Sequence, residues 1–556
     1  MSRSPARTLA ALERLRLRHG PGVAEVRLAL LRRLERTPLR TAGQVRRLHE
    51  LLCFARAYPD DVRVLRQTAR MLQRFSRRTD LRAHRAELYA SGIAGTTIWF
   101  PFFYPTARWV AARWPRQLLL DRNDTVAEES IAKLLPALMM PIEAFALRES
   151  HLPGYAALDR LRGRRSDATF LLERIAAMPG DEFTREAVYD ALNPSCELLP
   201  GPTTPSRTRA AFPVPEVAFR SQPLRSGRPD LRHEIARAPR PPHRLAGRSA
   251  RELIDLARAS MATRERDLDA IAHGNPLETW WIEDDAGLAF VLFGMVPERR
   301  PALPAIYGGL TLQNGVPIGY HQSDVIGPCV AVSFNTFDTF RGGASAFIFA
   351  RLLATLHTMF GATSFSIEPY QLGEGNDEGI ESGAWWFYAK LGFRPRARPA
   401  LQLAAAEARR LRRNPMHRSS EATLRQLARH HLFFDFDPHR PAPLVLPAAI
   451  GLAVGSFLGG LDEDRDRALH IAESRARAAC GLAPAHDFSR AEARAWRALF
   501  PLLAMLPARR WAEAERAALV EIVRNKAARS ERDFVRSTQR HARLLEALAR
   551  LSESEH

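Results

Sequence analysis

The sequence predicts an α+β (mixed α/β) protein: a mixed sheet with packed helices in the middle of the chain, flanked by N- and C-terminal all-helical regions. Three observations carry this. Between residues 278 and 393 the apolar residues fall into short runs bounded by turn signals, which is the grammar of strands. On either side they recur at i, i+3, i+4 and i+7, which is the grammar of helices. At 556 residues the chain also exceeds a single ordinary core. The expected organisation is a helical domain over 1–197, a Pro/Arg-rich linker or strap over 198–247, a sheet-bearing domain over 248–400 and a helical C-terminal region over 401–556.

Taken in order, residues 45–58 and 62–77 form an antiparallel helix pair, with Pro59-Asp60-Asp61 separating them and capping the second. The aromatic run Ile98-Trp-Phe-Pro-Phe-Phe-Tyr104, followed by Trp109 and Trp114, reads as an irregular buried connection in preference to a membrane-surface or ligand-contacting edge. Residues 200–242 hold ten prolines and no periodicity, so they extend as a linker or strap. Ser249-x-x-Glu252 is a capping-box pattern that restarts helix. Strands at 279–283 and 288–295 then flank the turn 284–287, and strands at 307–313 and 316–323 flank Asn314-Gly315, a strong hairpin signal. A strand at 329–334, a helix from about 343 to 360 closed by Gly361, a strand at 364–368 and a helix at 381–391 complete the sheet domain. Beyond Arg396 the pattern is helical, with starts at Ser419-Ser420-Glu421 and at the capping box Ser489-x-x-Glu492.

The formal charge of +20 is carried by 78 arginines and only three lysines, Lys133, Lys390 and Lys526. So one-sided a ratio is a genome-wide habit, and the arginines are interleaved with Glu and Asp along helices. Nucleic acid is therefore not an expected partner. Cys53, Cys196, Cys329 and Cys480 are far apart and form no Cys-x-x-Cys, so a reducing, cytoplasmic setting is expected. Residues 1–20 lack the apolar core of a secretory signal. Residues 442–461 carry no charge, but their prolines and glycines favour a buried helix over a membrane span, with Gly451-x-x-x-Gly455-x-x-x-Gly459 offering close helix approach. Membrane association is accordingly not favoured. His430, His431, Asp435, Asp437 and His439 match no metal-site spacing, and no metal is expected.

Two segments nominate chemistry. Arg341-Gly-Gly-Ala-Ser-Ala346 is a tight turn feeding a helix, where an arginine and free N–H groups converge on an anion the size of a pyrophosphate. Gly383-Ala-Trp-Trp-Phe-Tyr-Ala-Lys-Leu-Gly-Phe-Arg-Pro395 is a short helix ending at Gly392. Together, and in this order after the 309–320 hairpin, they resemble the GNAT (N-acetyltransferase) superfamily over residues 250–400. That family's phosphate loop reads Arg/Gln-x-x-Gly-x-Gly/Ala, and its later segment approximates Asn-x-x-Ala-x-x-Phe-Tyr-x-Lys-Leu-Gly-Phe. Ala344 and Glu381 depart from those patterns, and the helical segment 249–272 precedes an extra hairpin where the family places it after its first strand.

The resemblance implies acetyl-CoA or another acyl-CoA as co-substrate. Its pantetheine would lie along the strand holding Val332 and Phe334, and its pyrophosphate over Arg341, Gly342, Gly343, Ala344, Ser345 and Ala346. An amine acceptor, small molecule or protein, would attack the thioester, and Tyr388 would protonate the leaving thiolate. Glu368, at the end of its strand, is the candidate base, with His321 and Asp324 as alternatives. The loop 371–380, with Glu374, Asp377 and Glu378, either attracts a cationic amine or is simply solvated. Against this enzyme stands a catalytically inactive module of the same fold acting as an interaction or scaffold protein, with a protein partner on the helical flanks.

Overall fold

A computed structural model describes residues 4–553 apart from Gly343, Arg440, Pro484 and Ala485. Two sheets are set among helices. The smaller joins β1 (Ile98–Phe100), β2 (Leu118–Leu120) and β3 (Cys196–Leu198), antiparallel, in the order β1-β3-β2. The larger holds β4 (His243–Leu245), β5 (Gly274–Glu283), β6 (Leu288–Met295), β7 (Ala305–Gln313), β8 (Val316–Ile326), β9 (Cys329–Thr336), β10 (Ser364–Ile367), β11 (Arg394–Pro395) and β12 (Leu432–Asp435). Its order is β11-β12-β10-β9-β8-β7-β6-β5-β4. From β4 to β9 each strand pairs antiparallel with the next. β9 and β10 run parallel, so the chain must cross over between them, and helix Ser345–Phe360 is that crossover. β12 then inserts between β10 and β11, antiparallel to both.

The hairpin at Asn314-Gly315 forms as its sequence dictates, with φ of 48° and 74°, the two positive values a tight two-residue turn needs. A side chain on Gly315 would strike the Phe212 carbonyl, because the proline-rich segment crosses there and Phe212 N–H donates to Gly315 O at 2.8 Å. That segment is a strap, anchored also by Arg207 N–H on Gly92 O and Arg220 N–H on Pro59 O, both at 2.8 Å. It holds one short helix, Leu231–Ala236, capped by Asp230.

The main apolar core spreads over one face of the large sheet through Phe290, Val332 and Phe365. It includes the crossover helix, N-terminal residues such as Leu9 and Leu52, and C-terminal ones such as Leu519 and Leu548. Helix Gly247–Ala262 covers part of the other face, packing on Trp281, Val291 and Leu310. Residues 98–198 have a core of their own. Within 1–197, apolar residues as far as Ile93 join the sheet's core, whereas those of 98–198 pack mainly among themselves.

Other expectations need correction. Region 1–197 contains the three-stranded sheet, and the large sheet overruns 248–400 at both ends through β4 and β12. These strands have three or four residues, too few to show a period. β4 also places a strand before helix Gly247–Ala262, while the extra hairpin expected after that helix is present. That helix begins before Ser249 and has no side-chain cap. The 381–391 helix is broken: Asp377–Glu381 and Ala384–Lys390 are separated by Gly383 at φ 67°. Helix Pro447–Gly459 buries Ile450 and Leu458 but leaves Gly451, Leu452 and Gly455 exposed, so it is a surface helix. No helix of the described residues is long and apolar enough to cross a membrane. The aromatic run is the expected irregular buried connection only in part: Ile98–Phe100 forms β1 and Phe103 is exposed, while Phe102 and Tyr104 are inside and Trp99 Nε1–H donates to Asp121 at 2.8 Å.

Candidate active site

β9 pairs with β10 only from Cys329↔Ser364 to Ala331↔Ser366. β10 stops at Ile367 while β9 continues to Thr336, so beyond Ala331 the β9 edge facing β10 has no strand partner among the described residues. A cleft of about 280 Å³ opens there, floored by Phe334, Asn335 and Thr336 and walled by Tyr320, Ser345, Phe387 and Tyr388. Helix Ser345–Phe360 starts at this cleft with no side-chain cap, so the amides of its first turn lack intrahelical acceptors.

Arg341 stands at the cleft's rim. Its Nε–H donates to Thr336 O at 3.1 Å, and its guanidinium pairs with Asp338 at 2.9 Å and Glu378 at 3.1 Å. Glu378 is also gripped by Arg266, at 2.7 and 2.9 Å. Burial works against ionisation of Glu378, but the hydrogen bonds and charge of Arg266 and Arg341 outweigh it and hold its carboxyl below the usual range. Asp377 pairs with Arg425 at 2.8 Å. Two of the three carboxylates in the acidic loop are thus answered by arginines, which weakens the expectation that the loop draws in a cationic acceptor.

Tyr388 lies on helix Ala384–Lys390, which Gly383 starts in a left-handed conformation. Phe349 meets its ring edge-on at 5.3 Å and Phe393 at 5.9 Å. Burial pushes its phenol upward, so it stays protonated at neutral pH. Its hydroxyl has no hydrogen bond among the described residues and the side chain lines the cleft, leaving that proton available there.

Phe334, Arg341, Ser345 and Tyr388 thus converge on one cleft. The other expected site residues are placed differently. Val332 points into the core, so only its backbone could serve a ligand. Ala344 faces a separate hollow with Phe347 and Arg351. Gly342, at φ 92°, is exposed in open space, and Ala346 packs on the core. Gly343 lies outside the described residues.

The candidate bases fare worse. Glu368 is exposed and outside the cleft lining, although Tyr370, two residues on, belongs to it. His321 is fully buried, with both ring nitrogens unpartnered, and serves packing. Asp324 is pushed up to about 7, chiefly by burial and with Glu368 adding to the shift. It is four residues, about 13 Å, along β8 from Tyr320 of the cleft, beyond direct proton transfer.

Sequence reasoning missed Tyr320, Asn335 and Arg266, which the pairing of β8 with β9 and the packing of the 263–268 loop bring in. It also missed a second cleft of about 510 Å³ on the far side of Arg266, Asn335 and Arg341, which line both. Away from these clefts, Glu186, Asp269 and His273 bring ligand atoms within 4.8 Å of one another, but Arg299 already pairs with Glu186.

Compared with protein-family models, curated proteins and solved structures, the chain matches none at significance.

Proposed function

We propose that the protein is an acyl-CoA-dependent N-acyltransferase. The observation that carries this reading is the half-unpaired β9: a free strand edge beside a parallel neighbour, with an uncapped helix start and Arg341 at one end and Tyr388 opposite. An extended pantetheine can add to such an edge by backbone hydrogen bonds, while the phosphates it carries meet the arginine and the first-turn amides. The strand before helix Gly247–Ala262, and the order of hairpin, β9, Arg341 turn, crossover helix, β10 and Tyr388 helix, support the resemblance to the GNAT superfamily.

In the reaction the amine nitrogen adds to the thioester carbonyl, and the C–S bond breaks as the tetrahedral adduct collapses. The thiolate takes a proton from Tyr388, the ammonium proton leaves to solvent, and the Tyr388 phenolate regains a proton from solvent; the burial that raises its pKa makes the phenol a weaker acid and opposes this transfer until ligand polar groups enter the cleft.

Titration calorimetry with acetyl-CoA and longer acyl-CoAs tests this. Binding is expected at millimolar ligand or below and is weakened about tenfold by Arg341→Glu, a change of about 1.4 kcal/mol. Tyr388→Phe is expected to keep binding and to lower kcat about a hundredfold. No binding by any acyl-CoA, or binding indifferent to Arg341→Glu, would sink the proposal.

The second reading, a non-catalytic module, is favoured by one observation: Arg341 is already committed to Asp338 and Glu378. Both pairs are exposed and each is worth at most about 1 kcal/mol, so a phosphate can displace them. Binding that survives without any turnover would decide for that reading.

A further inference from the structure

The 510 Å³ cleft is walled by the N-terminal helices, the strap, the end of helix Gly247–Ala262 and the segment after β9. Its volume suits a small-molecule ligand. Seven arginines line it against four carboxylates, Glu13, Glu50, Glu265 and Asp338. Three of those carboxylates are engaged: Glu13 by Arg47, Glu50 by Arg207 at 2.6 Å and Asp338 by Arg341 at 2.9 Å. Arg266 is held by Glu378 at 2.7 Å.

Arg16, Arg46 and Arg264 face the cleft with no carboxylate at ion-pair distance among the described residues, although Glu50, held by Arg207, attracts the charges of Arg16 and Arg264 from farther off. Arg16 is fixed by donation to the Thr339 and Arg341 carbonyls and by the Phe54 ring, 4.3 Å from its guanidinium. Arg264 is fixed by donation to Ser260 O at 2.9 Å and by the face of Phe337 at 3.8 Å. The buried Nε–H groups of both lack an acceptor. Burial, with Arg207 beside it, lowers the Arg264 guanidinium to about 9, so it remains charged at neutral pH. Arg16 and Arg264 are thus fixed while Arg46 is exposed; these three guanidinium groups outnumber the one carboxylate of the lining left unengaged among the described residues, Glu265, and a multiply charged oxyanion matches their planar forks.

We infer that this cleft is a phosphate-binding site. It meets the proposed acyl-CoA cleft only at Arg266, Asn335 and Arg341, the end where the donor's pyrophosphate is placed and away from Tyr388, so it offers a second anion position beside that pyrophosphate. The anion site stands on its own geometry and does not depend on the acyltransferase reading.

The test is titration calorimetry of the full chain with inorganic pyrophosphate, then with CoA. Arg264→Gln and Arg46→Glu are each expected to weaken pyrophosphate binding at least tenfold. Arg46 is exposed, so its variant keeps the fold. The same charge reversal at exposed Arg475, on helix Arg465–Cys480, is expected to change nothing. Pyrophosphate binding no weaker in the two cleft variants than in Arg475→Glu overturns the anion site. CoA affinity is expected to be unchanged in the cleft variants, whereas a tenfold loss would show that the cleft holds the donor's own phosphates and overturn a second anion position. Absence of CoA binding in the unmodified protein would defeat the acyltransferase reading and leave the anion site supported by the pyrophosphate result.

Discussion

Lys526→Met is expected to lower the unfolding free energy by about 3–5 kcal/mol, because it strands a buried carboxylate. Lys526 is fully buried at the end of helix Glu513–Ala527, with its ammonium 2.5 Å from Glu531 and 3.1 Å from Pro304 O. Glu531 in turn is 3.6 Å from Arg300, whose guanidinium lies 3.0 Å from Glu278 on β5. All four side chains are at most 3% exposed. Glu278 also accepts from Tyr307 Oη at 2.6 Å, Ser530 Oγ at 2.8 Å and the Glu531 amide at 2.7 Å. Desolvation alone would neutralise these groups: burial lowers Lys526 and pushes Glu278 up to about 7 even with Arg300 beside it. The network thus stabilises only when whole, and it fixes the C-terminal helices to the sheet. Equilibrium urea unfolding of Lys526→Met, Glu531→Gln and the double variant measures it. The double variant is expected to be less destabilised than the sum of the single ones, since neither charge is then left alone. A loss below about 1 kcal/mol in Lys526→Met would show that solvent reaches the site.

The sequence did mark Lys526, as one of three lysines among 78 arginines, yet nothing local tells why lysine was kept there. Its partners lie on β5, on the segment after β6 and just beyond its own helix, and only the folded chain brings Glu278 within reach of residue 531. The same division runs through the candidate site. Hairpin, crossover helix and the stop at Gly392 were legible because Asn-Gly, a long apolar helix and a glycine terminator act over a few residues. Phe334, Arg341 and Tyr388 could be nominated because each belongs to such a local unit. Arg16 and Arg264 could not. Among 78 similar residues, only packing of the N-terminal helices against the segment after β9 distinguishes the arginines that face a cleft from those that face solvent. β12 was missed for a related reason: four residues between helices become a strand only because β10 and β11 leave a place for them.

His321→Leu is expected to remove a share of the protein's acid sensitivity, about 2 kcal/mol at pH 5 and about 4 kcal/mol near pH 3. His321 on β8 faces Gly309 across the strand pair, where any side chain on residue 309 would collide with the imidazole. The ring is fully buried, 6.2 Å from Phe290, and neither nitrogen finds a partner. Burial pushes its pKa down to about 3. Below pH 6.5 the unfolded chain therefore binds a proton that the folded chain refuses, so stability is complete above that value and drains away as the pH falls towards 3. His19, His273 and His431, pushed to about 4 chiefly by burial, add losses of the same sign. Glu278 and Asp324, pushed up to about 7, and Asp267, to about 6, act in the opposite direction, favouring the folded state as the pH falls through those values. All of these are shared by the parent and the variant, so the difference between their unfolding free energies from pH 7 to pH 5 isolates His321. At pH 7 the leucine should match or exceed the parent, because it replaces two unsatisfied ring nitrogens with apolar surface of similar size. A difference that stays flat from pH 7 to pH 5 would mean that water or a rearranged partner reaches the imidazole, returning His321 to consideration as a proton carrier.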